Sequence, residues 1–185
     1  DYLVVATGAT SNFFGNKEVE KYALPMKNIV EALNIRSYLL QNLEEAVLRK
    51  NASDRERYLN FVVVGGGPTG VELSGAIAEY QQHMLKIDYP ELSTYEMKVH
   101  LVEGTGKILG ALSEKSSRDA ERYLKELGVN IVLNTTVNGY DGNTVTLSSG
   151  EQIITINKDN KLAKGIYFIN LSINGTKMYK KLVLN

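Results

Sequence analysis

Six consecutive residues, Gly65-Gly66-Gly67-Pro68-Thr69-Gly70, have types and spacing that could do chemistry. With Gly65, Gly67 and Gly70 in the fixed positions they satisfy G-x-G-x-x-G. The first glycine permits a tight turn and the second lets the backbone approach a pyrophosphate. The third lets a following helix pack close to the preceding strand. The free N–H groups and positive dipole end of that helix would then face the diphosphate. A lone match of this pattern is weak, and context gives it weight. Here a β-branched run, Phe61-Val62-Val63-Val64, precedes it, and a helix with Val71, Leu73, Ala76 and Ile77 starts near Pro68. A βαβ unit with incidental glycines is the competing reading.

The same chemistry needs an acceptor for the adenosine ribose hydroxyls at the end of the next strand. Glu103, which closes Val99-His100-Leu101-Val102, fits by position. It lies 33 residues past Gly70, against roughly 20 in the compact version of the fingerprint. Residues 86–96, with Pro90 and two tyrosines, account for the excess as a loop or helix extension. No Arg or Lys directly follows Glu103, so a 2′-phosphate would meet repulsion and NADH is favoured over NADPH. Glu72, in the first helical turn, is a candidate catalytic group, although an acid there also suits the helix dipole without any function. His83 and His100 have no evident partner. Lys107 reads as an exposed loop lysine or a phosphate contact.

The elements that must position these groups alternate. Residues 2–6 read as a short buried strand, and residues 9–27 as irregular with Asn12, Gly15 and Asn16 as breakers. A helix follows over 28–50, capped by Asn28, with a stripe of Ile29, Leu33, Leu40, Leu43 and Val47. Residues 51–57 are a polar connector. The strand at 61–64, apolar on both faces, suits the interior of a parallel sheet. Ser113 caps a helix ending at Leu127 before Gly128, with Ala120, Tyr123, Leu124 and Leu127 on its apolar face. Residues 129–133 form the third strand. The expected fold is therefore α/β: a Rossmann-like, right-handed βαβαβ parallel sheet. Alternating runs after Asn134 give an antiparallel β-meander, and residues 166–169 and 181–184 give a short β-rich tail joined through Asn174-Gly175.

Composition sets the outer limits. The 185 residues carry 21 Lys+Arg against 21 Asp+Glu, and the zero net charge argues against nucleic acid as a partner. There is no cysteine, which excludes thiol, iron–sulfur and Cys-based zinc chemistry within these residues. Two histidines leave no expected metal site. No run approaches the roughly 18 apolar residues of a membrane span. The opening at Asp1, mid-strand and without Met, reads as a chain cut from something longer.

At this point the sequence resembles a known family. Residues 2–9, Tyr-Leu-Val-Val-Ala-Thr-Gly-Ala, look like the strand and turn that close the first part of the FAD domain in two-dinucleotide-binding flavoproteins. Ala23-Leu24-Pro25-Met26-Lys27 before a long helix resembles the segment leading to their NADH domain. Gly65 to Gly70 followed by Val71-Glu72-Leu73 is very similar to the form in type II NADH dehydrogenases, single-chain NADH:quinone oxidoreductases. The likeness covers about residues 1–153. It implies NADH as substrate, FAD as the cofactor of the full-length protein and quinone as acceptor.

Residue by residue, the likeness implies that Gly65, Gly66, Gly67, Pro68, Thr69 and Gly70 hold the pyrophosphate and Glu103 the ribose. Glu72 would lie near nicotinamide and flavin, with Thr7 and Gly8 packing near FAD. The implied division is 1–27 as a FAD-domain remnant, 28–59 as linking helix and connector, 60–153 as the NADH-binding domain and 154–185 as the tail. The full protein would sit peripherally on the cytoplasmic side of the cell membrane, and a homodimer is left open. The FAD domain's own glycine motif, its later Gly-Asp motif and the C-terminal amphipathic segment are absent from these residues, so the isolated chain is expected to be inactive. Residues 162–184 resemble instead the end of a type IX secretion C-terminal sorting domain, which would imply export. A β-hairpin finishing the meander is the plainer reading. A nucleotide-binding or degenerate secreted module without catalysis, and a domain of another NAD(P)H-dependent flavoprotein reductase, are the alternative functions.

Overall fold

The computed structural model describes residues 2–6, 8, 10–92, 96–155, 165–173 and 176–184, with Ile154 and the last two stretches in backbone only. In chain order the elements are α1 (Lys17–Tyr22), α2 (Ile29–Val47), α3 (Ala52–Leu59), β1 (Asn60–Val64), α4 (Pro68–His83), α5 (Leu85–Asp88) and β2 (Lys98–Val102). They continue with α6 (Glu114–Glu126), β3 (Asn130–Val132), β4 (Val137–Tyr140), β5 (Thr144–Leu147), β6 (Gln152–Ile154), β7 (Gly165–Ile173) and β8 (Thr176–Leu184).

Strands β1, β2 and β3 form a parallel sheet in that order, with Val62 opposite His100 and His100 opposite Asn130. Because side chains alternate along a strand, each face needs its own cover. Val63, Val99 and Leu101 point into one cluster with Leu43 and Ala46 of α2, Ile77 and Ala78 of α4, and Leu124 of α6. Val62, Val102 and Val132 point the other way, onto Val145, Leu147 and Ile153 of the antiparallel β4-β5-β6 meander. The apolar runs of the strands therefore reflect two covered faces, as expected for a parallel sheet. The expected α/β architecture holds.

Local signals account for most boundaries. Asn28 accepts from the Glu31 N–H at 3.0 Å while the Glu31 carboxylate accepts from the Asn28 N–H at 3.2 Å, a reciprocal cap on α2. Ser113 Oγ accepts from the Ser116 N–H at 3.1 Å at the start of α6. Pro68 sits at the first position of α4, where its missing N–H costs nothing.

Six expectations are corrected. Residues 2–6 form no strand: no described strand lies beside them, and Tyr2, Leu3, Val4 and Val5 are exposed. A strand exists only through pairing, so an apolar run alone cannot make one. Residues 9–27 are not wholly irregular, because Asn16 works as an N-cap rather than a breaker: its Oδ1 accepts from the Val19 N–H at 3.1 Å and starts α1. Residues 52–57 belong to α3, with Asn51 at its N-cap position, and not to a connector. Its buried anchor is Leu59, and Arg55 Nη2 lies 2.6 Å from Glu96 Oε1. Ile29 and Leu33 lie exposed on the stripe of α2, since only its C-terminal half reaches the core through Leu43 and Ala46. Tyr123 of α6 is likewise exposed, as is Ala76 of α4, while Leu124 is buried. The β7 and β8 pair forms a two-stranded sheet of its own rather than an extension of the meander. The Asn174-Gly175 turn lies outside the described residues.

The stretch between α4 and β2 is fastened by two tyrosines. Tyr80 OH donates to Asp88 Oδ2 at 2.9 Å, and Tyr89 OH donates to Glu44 Oε1 at 2.9 Å, tying this stretch to α2. Burial, then the Glu44 carboxylate, raises the Tyr89 pKa from 10.0 to about 12. A raised folded-state value gives stability that is complete below the unfolded value and lost as pH rises through the folded one. The wild type should therefore lose stability between pH 10.0 and about 12. Tyr89→Phe should flatten that alkaline loss and cost about 1 kcal/mol near neutrality, read from urea unfolding across pH.

Candidate nucleotide-binding site

The glycine turn lies where β1 passes into α4, at the C-terminal edge of the parallel sheet. Gly65 adopts φ +105, a backbone conformation that side chains rarely permit, and its N–H donates to Val102 O at 2.8 Å. Gly70 is required by close approach: a Cβ there would lie 1.9 Å from Gly65 O. Gly67 caps α4 with no protein atom within 4 Å of where its Cβ would be, so the turn is open on that side. The first N–H groups of α4 have no partner within the helix, and such a helix start favours negative charge. Thr69 and Pro68 are exposed at this end of the helix. Glu72 is exposed on α4 as well.

Glu103 is anchored in the sheet through its backbone: its N–H donates to Val132 O at 2.8 Å and its C=O accepts from Thr135 N at 3.0 Å. Its side chain reaches back to the turn, where Oε2 accepts from the Gly66 N–H at 2.6 Å and Oε1 from the Thr105 N–H at 2.8 Å. Burial opposes ionisation of this carboxyl. The hydrogen bonds from Gly66 and Thr105 outweigh that and hold its pKa below the usual glutamate value. The folded state thus favours the carboxylate, so its stabilisation is complete above the ordinary glutamate range and disappears as pH falls through the lower folded-state value. Glu103→Gln should flatten the acid limb of stability against pH, measured by urea unfolding across the acid range.

The structure therefore brings Gly65, Gly66, Gly67, Gly70 and Glu103 to one edge. Thr7 lies outside the described residues, and Gly8, at φ +73, has no atom within 4 Å of a Cβ position. Lys107 is engaged by Glu114 at 2.6 Å rather than standing free. His83 is exposed at the end of α4, and His100 Nδ1 pairs with Asn130 Nδ2 at 3.0 Å in the sheet, away from the turn. Burial, then Lys98, lowers the pKa of His100. Sequence reasoning missed Thr105 and Leu109. Leu109 has φ +51 and its N–H donates to Gly66 O at 2.6 Å. No periodicity or motif announces such a loop contact. Among the described residues no cluster of His, Asp and Glu could hold a metal, and no helix is long and apolar enough to cross a membrane.

A parallel βαβαβ sheet with a glycine turn at its carboxyl edge and an acid closing the second strand is the arrangement of a Rossmann-like fold. The sequence pattern of the pyridine nucleotide-disulphide oxidoreductase family matches residues 1–167, and this chain belongs to that family. The match ends inside β7 and does not reach β8.

Among curated relatives, a type II NADH:quinone oxidoreductase of Mycobacterium tuberculosis is 35% identical over 151 residues, covering 82% of this chain and 33% of that protein. A mitochondrial external NADH-ubiquinone oxidoreductase of Saccharomyces cerevisiae is 37% identical over 153 residues, covering 82% of this chain and 28% of that protein. The fold matches the structure of NDH2 from Plasmodium falciparum in complex with NADH, with a TM-score of 0.77 and 29% identity over 84% of this chain and 33% of that one. The chain spans about a third of the length of these relatives.

Proposed function

We propose that this chain is the NADH-presenting part of a FAD-dependent NADH:quinone oxidoreductase. The observation that carries the reading is the open turn at Gly67 with the Glu103 carboxylate drawn against it. The names of its relatives support the choice of reaction. In this reading Gly65, Gly67 and Gly70 shape the turn that receives the pyrophosphate, with Gly66, Pro68 and Thr69 completing it. Glu103 accepts from the adenosine ribose hydroxyls. Glu72, on the first turns of α4, faces the nicotinamide end. Residues 60–153 act as the NADH domain, 28–59 link it to the flavin side, and residues 1–27, with Thr7 and Gly8, contribute to that side.

FAD, when bound in the full-length protein, would accept the hydride and pass electrons to quinone. The residues of this chain bind and orient NADH for that step. The full-length protein would act at the cytoplasmic face of the membrane as a peripheral enzyme.

Titration of the 185-residue chain with NADH, followed by nicotinamide fluorescence, tests the reading. Saturable binding of NADH, tighter than NADPH, is expected, and absorbance should show no stoichiometric flavin. A chain that binds neither dinucleotide would refute the nucleotide assignment. A stoichiometric yellow cofactor would refute the division of labour between this chain and a separate flavin side.

A further inference from the structure

We infer that the loop following β2 latches the phosphate-binding turn, with Glu103 and Leu109 holding the Gly66 peptide from either side as positioning residues for the diphosphate. The inference rests on the dinucleotide reading above and gives Glu103 a second task beyond the ribose. Three contacts make the latch. Gly66 N–H donates to Glu103 Oε2 at 2.6 Å. The Gly66 carbonyl accepts from the Leu109 N–H at 2.6 Å, and the Gly65 N–H donates to Val102 O at 2.8 Å. The loop between is itself closed, by Thr105 N–H on Glu103 Oε1 at 2.8 Å and Thr105 Oγ1 donating to Lys107 O at 3.0 Å.

Packing leaves the latch little play. A Cβ on Gly66 would lie 2.9 Å from the Cγ2 of Ile108, which is wholly buried, and 3.1 Å from Glu103 Cγ. Leu109 meanwhile sits at φ +51, where a bulky side chain costs on the order of 1 kcal/mol that the surroundings must offset. Such strain is concentrated where a backbone group has to be aimed. Here it aims the Leu109 N–H at the turn.

The consequence concerns which donors a diphosphate meets. The Gly66 N–H is committed to a carboxylate and is not offered to an anion. The anion is left with the amides at the start of α4, among which Pro68 has none. Glu103 therefore couples the two halves of the ligand: a change made at the ribose end also loosens the turn that receives the phosphates.

The test uses inorganic pyrophosphate, which has no ribose, on the 185-residue chain carrying Glu103→Gln or Glu103→Ala. Both variants lose the negative charge, so its repulsion cancels in the comparison. Only the glutamine keeps an oxygen that can accept from Gly66. Calorimetry should find pyrophosphate bound about tenfold more weakly by the alanine variant. Equal affinities would overturn the latch.

A second measurement needs no ligand: the Gly66 amide proton in NMR should shift as Glu103 titrates in acid. A Gly66 amide that stays flat through that titration overturns the latch even if NADH binds. A titrating amide in a chain that binds neither pyrophosphate nor NADH would overturn the dinucleotide reading, and the diphosphate role with it, while leaving the contact itself in place.

Discussion

Replacing Gly70 by alanine is expected to abolish NADH binding and to cost about 3 kcal/mol or more of stability. The added Cβ would stand 1.9 Å from the carbonyl oxygen and 3.1 Å from the carbonyl carbon of Gly65, both backbone atoms, and 3.5 Å from Val63 Cγ1. Neither side can yield easily. Gly65 is tied to Val102 O at 2.8 Å in a conformation at φ +105, and Gly70 is fixed within the first turns of α4. Relief requires α4 to move off β1, which opens the cluster around Val63 and Ile77 and removes the helix amides from the turn.

An affinity loss of at least about 100-fold, or about 2.7 kcal/mol, is the expected reading by fluorescence titration. Gly75→Ala supplies the contrast within the same helix. Its Cβ would meet only Leu124 Cδ2, at an ordinary 3.6 Å. Removing a mid-helix glycine there should stabilise the chain by up to about 1 kcal/mol, raising the urea midpoint. A Gly70→Ala chain that binds NADH as tightly as the wild type would remove the geometric basis of the site.

The second large effect is a change of nucleotide preference. Glu103→Arg removes the carboxylate that the proposed function assigns to the ribose and replaces it with a group suited to a phosphate. Hydrogen bonds to a charged group are worth about 1.5–3 kcal/mol. Losing them should weaken NADH binding by roughly tenfold to a hundredfold. Removing repulsion from a 2′-phosphate acts in the opposite direction on NADPH. The ratio of the two affinities should therefore shift toward NADPH by about 100-fold or more. The ratio is the proper readout, because loosening of the Gly66 peptide is common to both ligands and cancels. An unchanged ratio would mean that Glu103 does not face the adenosine ribose.

Much of this arrangement was legible in the sequence because it is written in short-range patterns. The strand, glycine turn and helix from Phe61 to Ile77 are a contiguous signal, and so are the caps at Asn28 and Ser113. Glu103 was found by its place at the end of an apolar run. Other features gave misleading or silent signals. Asn16 looked like a breaker although it stands at a helix start, since an asparagine serves turns and N-caps by the same side-chain hydrogen bonding. The eight residues of α3 carry too few apolar groups to show a period. Its position depends instead on Leu59 and on the distant Glu96. Residues 2–6 have the composition of a strand but no neighbour to pair with among the described residues.

The sequence by itself determined the chemistry on offer: a turn that only glycine can make, a helix start beside it, and an acid at the end of the next strand. Those follow from local sterics and periodicity, which act between residues a few positions apart. Tertiary structure alone decided how the acid is used. Glu103 and Gly66 are separated by 37 positions, and their contact exists because β1 and β2 pair in parallel with Val64 opposite Val102. That register puts the residue after β2 beside the turn after β1. The left-handed Leu109 is likewise fixed by its bond to Gly66 and by the buried Ile108 next to it, not by its own preference. Sequence patterns carry the preferences of neighbours along the chain, whereas a latch between two loops depends on the packing that brings them together.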